Sequence, residues 1–220
     1  MENPRGRILD EAAALFARDG YDGASLGDVA DAVGVTKAAI YHYFPNKKEI
    51  YEAIIVRTLE GLLKSVVAAI DKEPDAEEAL SRFMTAHADY FEKHYYGFVT
   101  MLVGYGGMEN IAMIEEAQKL RNAYEALLRD IVAAGVRSGR FRKVDVNITS
   151  RAILSMLNWM VRWYKPGRGR PAAYFAKEYC NLVVGGVRET AQFVSEKEPV
   201  RSRKESGKRS TVPSRSRSRE

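Results

Sequence analysis

The sequence predicts an all-α protein. Apolar residues recur at intervals of three and four along most of the 220 residues, and that spacing is typical of amphipathic helices. Alternation of the kind expected for strands is scarce, and breaks containing glycine or proline divide the pattern into segments of ordinary helix length. We therefore expect a small N-terminal domain of three helices, a larger helical domain and a polar tail.

The first predicted helix begins at Pro4, since proline suits the first helical position, and it runs to about Asp19. Gly20 to Gly23 is then predicted to form a turn. One face of the helix is apolar through Ile8, Ala12, Leu15 and Phe16.

Residues 25–43 predict two short helices joined by a tight turn. Ser25 is a favourable N-cap, with Asp28 where a capping box would carry Glu or Gln. Gly34 permits the left-handed backbone that such a turn commonly needs, and Val35 is expected to fill the core between the helices. Thr36 is predicted to cap the second helix, which ends near Tyr43. This helix-turn-helix arrangement is the one that places its second helix in a DNA major groove.

A long fourth helix, 47–70, links the N-terminal domain, 1–50, to a second domain, 51–194. The tail, 195–220, is rich in Ser, Arg and Lys and has little to bury, so we expect it to be disordered. Further helices are predicted over 75–95, 98–105, 109–138, 146–164 and 172–194.

Charge and composition exclude several classes of function. Nine of the 34 lysines and arginines and four of the 29 acids lie in the tail, which leaves 25 of each elsewhere. Residues 1–60 carry seven basic and ten acidic side chains, so DNA binding would have to depend on local placement. A lone cysteine and three histidines at no ligand spacing predict no metal or cofactor site. No nucleophile and base are suitably spaced, and we expect a cytoplasmic, non-enzymatic protein near the nucleoid.

The N-terminal pattern resembles the tetracycline-repressor (TetR) family of transcriptional regulators over about a quarter of the chain. Two positions depart from the family pattern: Ala38 replaces the usual Gly, and His42-Tyr43 replaces the usual Tyr-His. The matching residues are Ala32-Val33-Gly34-Val35-Thr36, Ala38-Ala39-Ile40-Tyr41-His42-Tyr43-Phe44 and Lys47.

The resemblance implies a homodimer on a palindromic operator in double-stranded DNA, and the residue types indicate how it would be read. Lys37, Ala38 and Ala39 occupy the first turn of the recognition helix, which usually meets base edges. Thr36 could contact a phosphate as well as cap the recognition helix. The resemblance implies that Tyr41 and His42 donate to phosphates; Tyr43 could do so too, and we expect one of these three rings to lie in the core. The predicted DNA-binding residues are Ser25, Thr36, Lys37, Ala38, Ala39, Tyr41, His42, Tyr43 and Lys47.

The second domain is rich in aromatic and methionine side chains, which suit either an ordinary core or an adaptable apolar pocket. The stretch from Asn158 to Gly167 also resembles family members that control lipid or steroid catabolism, some of which sense acyl-CoA thioesters. That resemblance implies that Arg162 meets an anionic or carbonyl group while Trp159 and Trp163 wall the apolar part. The predicted ligand-binding residues are Tyr95, Tyr96, Met101, Tyr105, Met156, Trp159, Arg162 and Trp163.

The last two long helices are expected to form the dimer interface, in part through an apolar band at Ala173, Ala176, Leu182, Val183, Val184 and Val187. The favoured interpretation is a repressor released by a small hydrophobic or acyl-CoA-type effector. One alternative is a multidrug-efflux regulator that senses cationic or aromatic compounds. Another, of a different class, is a small-molecule binding or catalytic protein that does not bind DNA.

Overall fold

A computed structural model describes residues 3–70, 75–104 and 114–187. Within these ranges the chain is all-helical, with no regular strand, which confirms the predicted fold class. The compact unit Met1–Thr190 contains all of them. The helices are α1 (Pro4–Gly23), α2 (Leu26–Val33), α3 (Lys37–Tyr43), α4 (Lys47–Ile70), α5 (Ala76–Lys93), α6 (Tyr95–Leu102), α7 (Glu115–Arg137), α8 (Val146–Trp163) and α9 (Ala172–Val187).

The caps predicted for the N-terminal helices are present. The Asn3 side chain accepts from Arg5 N and starts α1, and Gly20 interrupts the helix with φ 77° where the turn was predicted. Ser25 and Asp28 form a reciprocal capping box: Ser25 Oγ accepts from Asp28 N at 3.2 Å, and Ser25 N donates to the Asp28 carboxylate at 2.7 Å. Asp28 therefore takes the place of the longer Glu or Gln.

The turn between α2 and α3 follows the prediction in its backbone. Gly34 is left-handed, with φ 77° and ψ 38°, and its N–H donates to the carbonyls of Ala30 and Asp31. Thr36 caps α3 by accepting a hydrogen bond from Ala39 N at 3.2 Å. These contacts set the angle at which α3 leaves α2.

Two side-chain expectations for this region are wrong. Val35 is 40% exposed and does not fill the core, and no ring at 41–43 is buried, with Tyr41 48% and Tyr43 40% exposed. Ile40 and Phe44 fill the core instead, at 0% and 2% exposure. A helix as short as α3 can present one or two residues inward, and the apolar Ile40 and Phe44 take those positions.

One continuous core runs through the described residues. Buried side chains extend from Ile8 in α1 to Val187 in α9. The helix α4 packs against α1, α5, α6 and α7, and α6 packs against both α1 and α4. The domain boundary predicted at residue 50 stays a prediction, because α4 packs against helices on both sides of it in the chain.

The helix α6 begins at Tyr95, three residues before its predicted start. Gly97 falls between the helices predicted over 75–95 and 98–105, but it lies inside α6, where that helix closely approaches α4. A Cβ at Gly97 would lie 2.6 Å from Thr58 Oγ1, so the small residue serves packing. The predicted parts of helices at 105, 109–113 and 188–194 lie outside the described residues, as does the tail.

Candidate functional site

The exposed face of α3 forms the first candidate surface. Lys37, Ala38, Tyr41 and His42 are exposed on a helix whose inner face is fixed by Ile40. Lys37 Nζ lies 6.0 Å from the Tyr41 ring centroid. The small Ala38 permits close approach, while the lysine and the tyrosine hydroxyl supply donors for phosphate or base edges.

The capping residues are partly occupied by their structural bonds. Ser25 lies at the α2 N-terminus, and hydrogen bonds from its hydroxyl and backbone N–H hold the pKa of Asp28 below its ordinary value. Thr36 Oγ1 is engaged with Ala39 N. Their contact with DNA, like that of Ala39 and Tyr43, stays a prediction.

Lys47 lies at the start of α4, but its ammonium group is directed towards the turn between α1 and α2. Lys47 Nζ donates to Tyr21 O at 2.7 Å and to Ala24 O at 3.0 Å. It also lies 4.3 Å from the Tyr21 ring centroid. This lysine therefore ties α4 to the entrance of the helix-turn-helix in the described structure.

The second candidate site is a cavity of about 300 Å³ enclosed by α4, α6, α7 and α8. Its inner wall is apolar and well buried, with Leu62 and Met101 at 3% and 2% exposure. Such a combination of an apolar wall with a few polar groups is typical of small-molecule sites. The lining residues are Leu59, Leu62, Met101, Leu102, Arg121, Tyr124, Glu125, Arg129, Asn147, Ser150, Arg151, Leu154, Ser155 and Asn158.

The solvent-facing side of this cavity, which we call the cavity mouth, is charged. Arg121, Glu125 and Arg129 recur every four residues on α7 and are 36%, 29% and 38% exposed. Arg121 Nε donates to Glu125 Oε1 at 2.7 Å, and Arg129 Nη1 lies 3.6 Å from Glu125 Oε2. Arg151 joins them from α8. Three arginines and one glutamate thus line this cavity, and two of the arginines pair with the glutamate.

A buried histidine supports one wall of the cavity. His87 Nδ1 and Tyr124 OH lie 2.6 Å apart, and Tyr124 lines the cavity. Burial lowers the pKa of His87 to about 3 and raises the pKa of Tyr124 well above its usual value. Both groups are therefore neutral at physiological pH, and the pair fixes the orientation of the tyrosine.

Of the predicted ligand-binding residues that the structure describes, Met101 alone lines this cavity. Trp159 and Trp163 are 64% and 42% exposed, and Arg162 Cζ lies 5.8 Å from the Trp159 ring. They lie on the outer face of α8, because the face towards the cavity is taken by Asn147, Ser150, Arg151, Leu154 and Asn158. Neither tryptophan is among the described residues that line this cavity, so their contact with a ligand stays a prediction.

The other predicted ligand-binding residues that the structure describes lie in two places. Tyr95 and Tyr96 line a smaller polar cavity of about 220 Å³ beside Asp10 and Arg57. Met156 is half-buried and packs on the core. Tyr105 lies outside the described residues. The predicted set is thus not assembled into a single site.

Sequence reasoning missed the charged and polar residues of the large cavity. A signal was present: Asn147, Ser150, Arg151, Ser155 and Asn158 form a polar stripe along α8 at helical spacing. Solvent exposure is the ordinary explanation for such a stripe, so the pattern alone does not single it out. Only packing against α7 shows that it lines a cavity.

The helix α6 connects the cavity wall to the N-terminal helices. Thr100 is completely buried, one position before Met101 in the cavity wall. Its hydroxyl donates to Ala13 O in α1 at 3.2 Å, and its carbonyl accepts from Tyr51 OH in α4 at 3.2 Å. A displacement of α6 would therefore act on both α1 and α4.

The outer faces of α8 and α9 expose large apolar side chains. Ile148 and Leu182 are 69% and 70% exposed. The apolar band predicted on α9 is only partly free, since Ala176, Val184 and Val187 are buried on a helix that packs along α5. The predicted band was too broad because one helix face cannot serve both α5 and a second subunit.

Comparison with known proteins agrees with this geometry. The family described as "Bacterial regulatory proteins, tetR family" matches residues 8–54. The family described as "Tetracyclin repressor-like, C-terminal domain" matches residues 73–187. Together they cover the exposed face of α3 and every residue that lines the large cavity except Leu59 and Leu62.

Several relatives cover most of the chain. The transcriptional repressor KstR2 of Mycobacterium tuberculosis is 27% identical over 191 residues, 85% of this chain and 94% of the relative. The activator FasR of Mycolicibacterium smegmatis is 25% identical over 161 residues, 71% of this chain and 72% of the relative. The solved structure of the regulator PfmR from Thermus thermophilus is 42% identical over 83% of this chain and 100% of that chain, with a TM-score of 0.75. The structure of KstR2, described as a ketosteroid transcriptional regulator, gives a TM-score of 0.77 at 25% identity over 86% of this chain and 97% of that one.

Both halves of the chain, the helix-turn-helix with its capped turn and the helical bundle with its cavity, match one family along most of their length. The chain belongs to the TetR family of DNA-binding transcriptional regulators.

Proposed function

We propose that the protein is a homodimeric repressor that leaves a palindromic operator when a small amphipathic effector enters the cavity between α4, α6, α7 and α8. The observation that carries this proposal is the position of α6, which walls the cavity through Met101 and holds α1 and α4 through Thr100. A repressor can respond to a ligand only if the ligand distinguishes two arrangements of the protein. The helix α6 is the element through which it would do so.

The operator would be read by the exposed face of α3. The exposed Lys37 and Ala38 would meet base edges or adjacent phosphates, and the exposed Tyr41 and His42 would meet phosphates. One copy of α3 spans only a few base pairs, so two copies related by a two-fold axis would be needed for a specific site. Such a regulator would act in the cytoplasm, where its operator lies.

The dimer would form through the outer faces of α8 and α9. Ile148, Trp159, Trp163 and Leu182 are each at least 42% exposed on these two helices, and exposed large apolar residues in such number favour a protein interface. Trp159 and Trp163 thereby gain a role at the interface in place of the cavity. A sedimentation measurement should give a dimer, and Leu182→Glu should give a monomer with weakened operator binding.

The effector would be apolar at one end and anionic at the other, as acyl-CoA thioesters are. The inner wall of the cavity is apolar, while Arg121, Arg129 and Arg151 outnumber Glu125 at its mouth. The same balance disfavours the cationic compounds expected of an efflux regulator. KstR2 is described as a ketosteroid regulator, which fits an apolar effector.

The test is fluorescence anisotropy of the full-length protein on DNA from upstream of its own gene. Tight binding that is lost on adding micromolar acyl-CoA of one chain type would support the whole proposal. Binding that no thioester disturbs would keep the regulator and remove this class of effector. No binding to any such DNA, together with retained thioester binding, would instead favour a small-molecule binding protein.

A further inference from the structure

We infer that Glu125 is a built-in counter-ion of the cavity mouth, which occupies the arginines in the empty protein and is displaced by the acidic group of an amphipathic ligand. This inference rests on the proposed function, because it assumes that the cavity is the effector site. It goes beyond that function by naming Glu125 as the residue that sets the affinity for anions and by naming the chemical class of ligand that the site selects.

The first support is the placement of the charges along α7. Arg121, Glu125 and Arg129 are separated by four residues each, so they lie on one face, and all three line the cavity. Glu125 uses one oxygen for each arginine, at 2.7 Å to Arg121 and 3.6 Å to Arg129. A ligand carboxylate or phosphate placed here would need the same donors.

The second support is the excess of positive charge. Glu125 is the only acid that lines the cavity among the described residues, while Arg121, Arg129 and Arg151 also line it. The two arginines next to Glu125 share a single carboxylate, and Arg151 adds a third guanidinium from α8. The group that enters this mouth most favourably is therefore an anion.

The third support is that a ligand can replace Glu125 in its ion pairs with Arg121 and Arg129. Each partner is between 29% and 38% exposed, and ion pairs with this much solvent contribute little to stability. A ligand can therefore take over the arginines at small cost when its apolar part is buried at the same time. Leu59, Leu62 and Met101 supply the apolar wall for that part.

The ligand class is thus an apolar chain that carries an acidic group. A free carboxylic acid and an acyl-CoA thioester both satisfy it, because the first offers a carboxylate and the second offers phosphates beyond the thioester. Octanoate and octanoyl-CoA separate the two sources, and 1-octanol supplies the same chain without charge. A medium chain suits a cavity of about 300 Å³, which is at the small end of ligand sites.

The experiment is isothermal titration of the full-length protein, Glu125→Gln and Glu115→Gln with the three probes. Glu115 is a matched control on the same helix, where it pairs with Lys119 at 2.7 Å and is absent from the cavity lining. We expect Glu125→Gln to bind one of the anionic probes about threefold to tenfold more tightly, because two weak internal pairs no longer compete. The gain should shrink as salt is added. Octanol binding should not change, and Glu115→Gln should match the unaltered protein with every probe.

Three results would overturn the inference. An anion that binds Glu125→Gln with unchanged or lower affinity would remove the counter-ion role and leave the proposed function intact. An equal gain for octanol would mean that Glu125 acts through the shape of the cavity. Failure of both anionic probes to bind any variant would overturn the inference together with the acyl effector, while operator binding measured separately would still test the regulator.

Discussion

Lys47→Met should destabilise the protein as well as weaken its binding to DNA. Lys47 donates to the carbonyls of Tyr21 and Ala24 at 2.7 and 3.0 Å and lies 4.3 Å from the Tyr21 ring centroid. The helix dipole disfavours a cation at the start of a helix. The contacts of Lys47 with the preceding turn therefore account for a lysine at this position. Methionine keeps the length of the side chain and removes only the ammonium group.

The expected loss follows from these contacts. A hydrogen bond from a charged donor contributes about 1.5–3 kcal/mol to stability where it is shielded from water. Lys47 is half-buried, so hydrogen bonds from water would offset part of this loss in the variant. The cation–π contact adds about 0.5–1 kcal/mol, while removing a cation from the α4 N-terminus returns about 0.3–1 kcal/mol. The net loss is about 2 kcal/mol, or a melting temperature lower by about 4–8 °C for a domain of this size.

Thermal unfolding followed by circular dichroism measures this loss, and Lys48→Met is the control. Lys48 is adjacent, is 76% exposed and pairs with Glu52 at 3.4 Å, so its replacement should change stability by less than about 0.5 kcal/mol. The salt dependence of operator binding, measured in parallel, reports any direct phosphate contact. Equal melting temperatures for the two variants, with a salt slope lowered by about one for Lys47→Met only, would refute the structural role and identify a plain phosphate contact.

Other consequences can be checked in the same assays. Gly135→Ala should destabilise the protein by about 1–3 kcal/mol in urea unfolding, because the new Cβ would lie 2.1 Å from Phe141 Cδ2; equal stability would mean that the ring moves aside freely. His87 has a folded pKa of about 3 against about 6.5 when unfolded, so the unfolded state binds more protons between those values and stability falls as pH is lowered through them. Between pH 6.5 and 5 the unaltered protein should lose about 1–2 kcal/mol more than His87→Gln, and parallel curves would contradict this. Deleting 195–220, with its surplus of five positive charges, should make operator binding less steeply dependent on salt; an unchanged slope would show that the tail does not contact DNA.

The caps and turns of the N-terminal helices could be predicted from neighbouring residues in the sequence. The sites that depend on packing between helices were harder to predict. Ser25, Gly34 and Thr36 act on backbone groups within three or four residues, so the sequence already contains both partners of each contact. Val35 and the rings at 41–43 were misjudged because burial depends on tertiary neighbours, which the local pattern does not identify. Trp159 was assigned to a pocket because its segment resembles regulators of lipid or steroid catabolism, yet a tryptophan suits a subunit interface equally well.

The cavity residues show the same division. Arg121, Glu125 and Arg129 look like an ordinary i, i+4 ladder on a solvated helix, a pattern that occurs on many surfaces. Their relation to Met101 on α6 and Arg151 on α8 is a matter of tertiary structure alone. Periodicity identifies which residues share a face of a helix, but it does not say what that face meets.

Under the proposed function, the shortness of α6 would give temperature a part in regulation. Its eight residues are fewer than the roughly 12–15 at which an isolated helix becomes even marginally stable in water, and its N-cap forms no side-chain hydrogen bond. Its order is therefore supplied by the helices that it packs against, which are α1, α4, α5 and α8. A filled cavity should slow amide hydrogen exchange in α6, whereas warming should hasten it well before the protein unfolds as a whole. Heat and ligand would then act on the same helix in opposite directions, one by loosening it and the other by holding it in place.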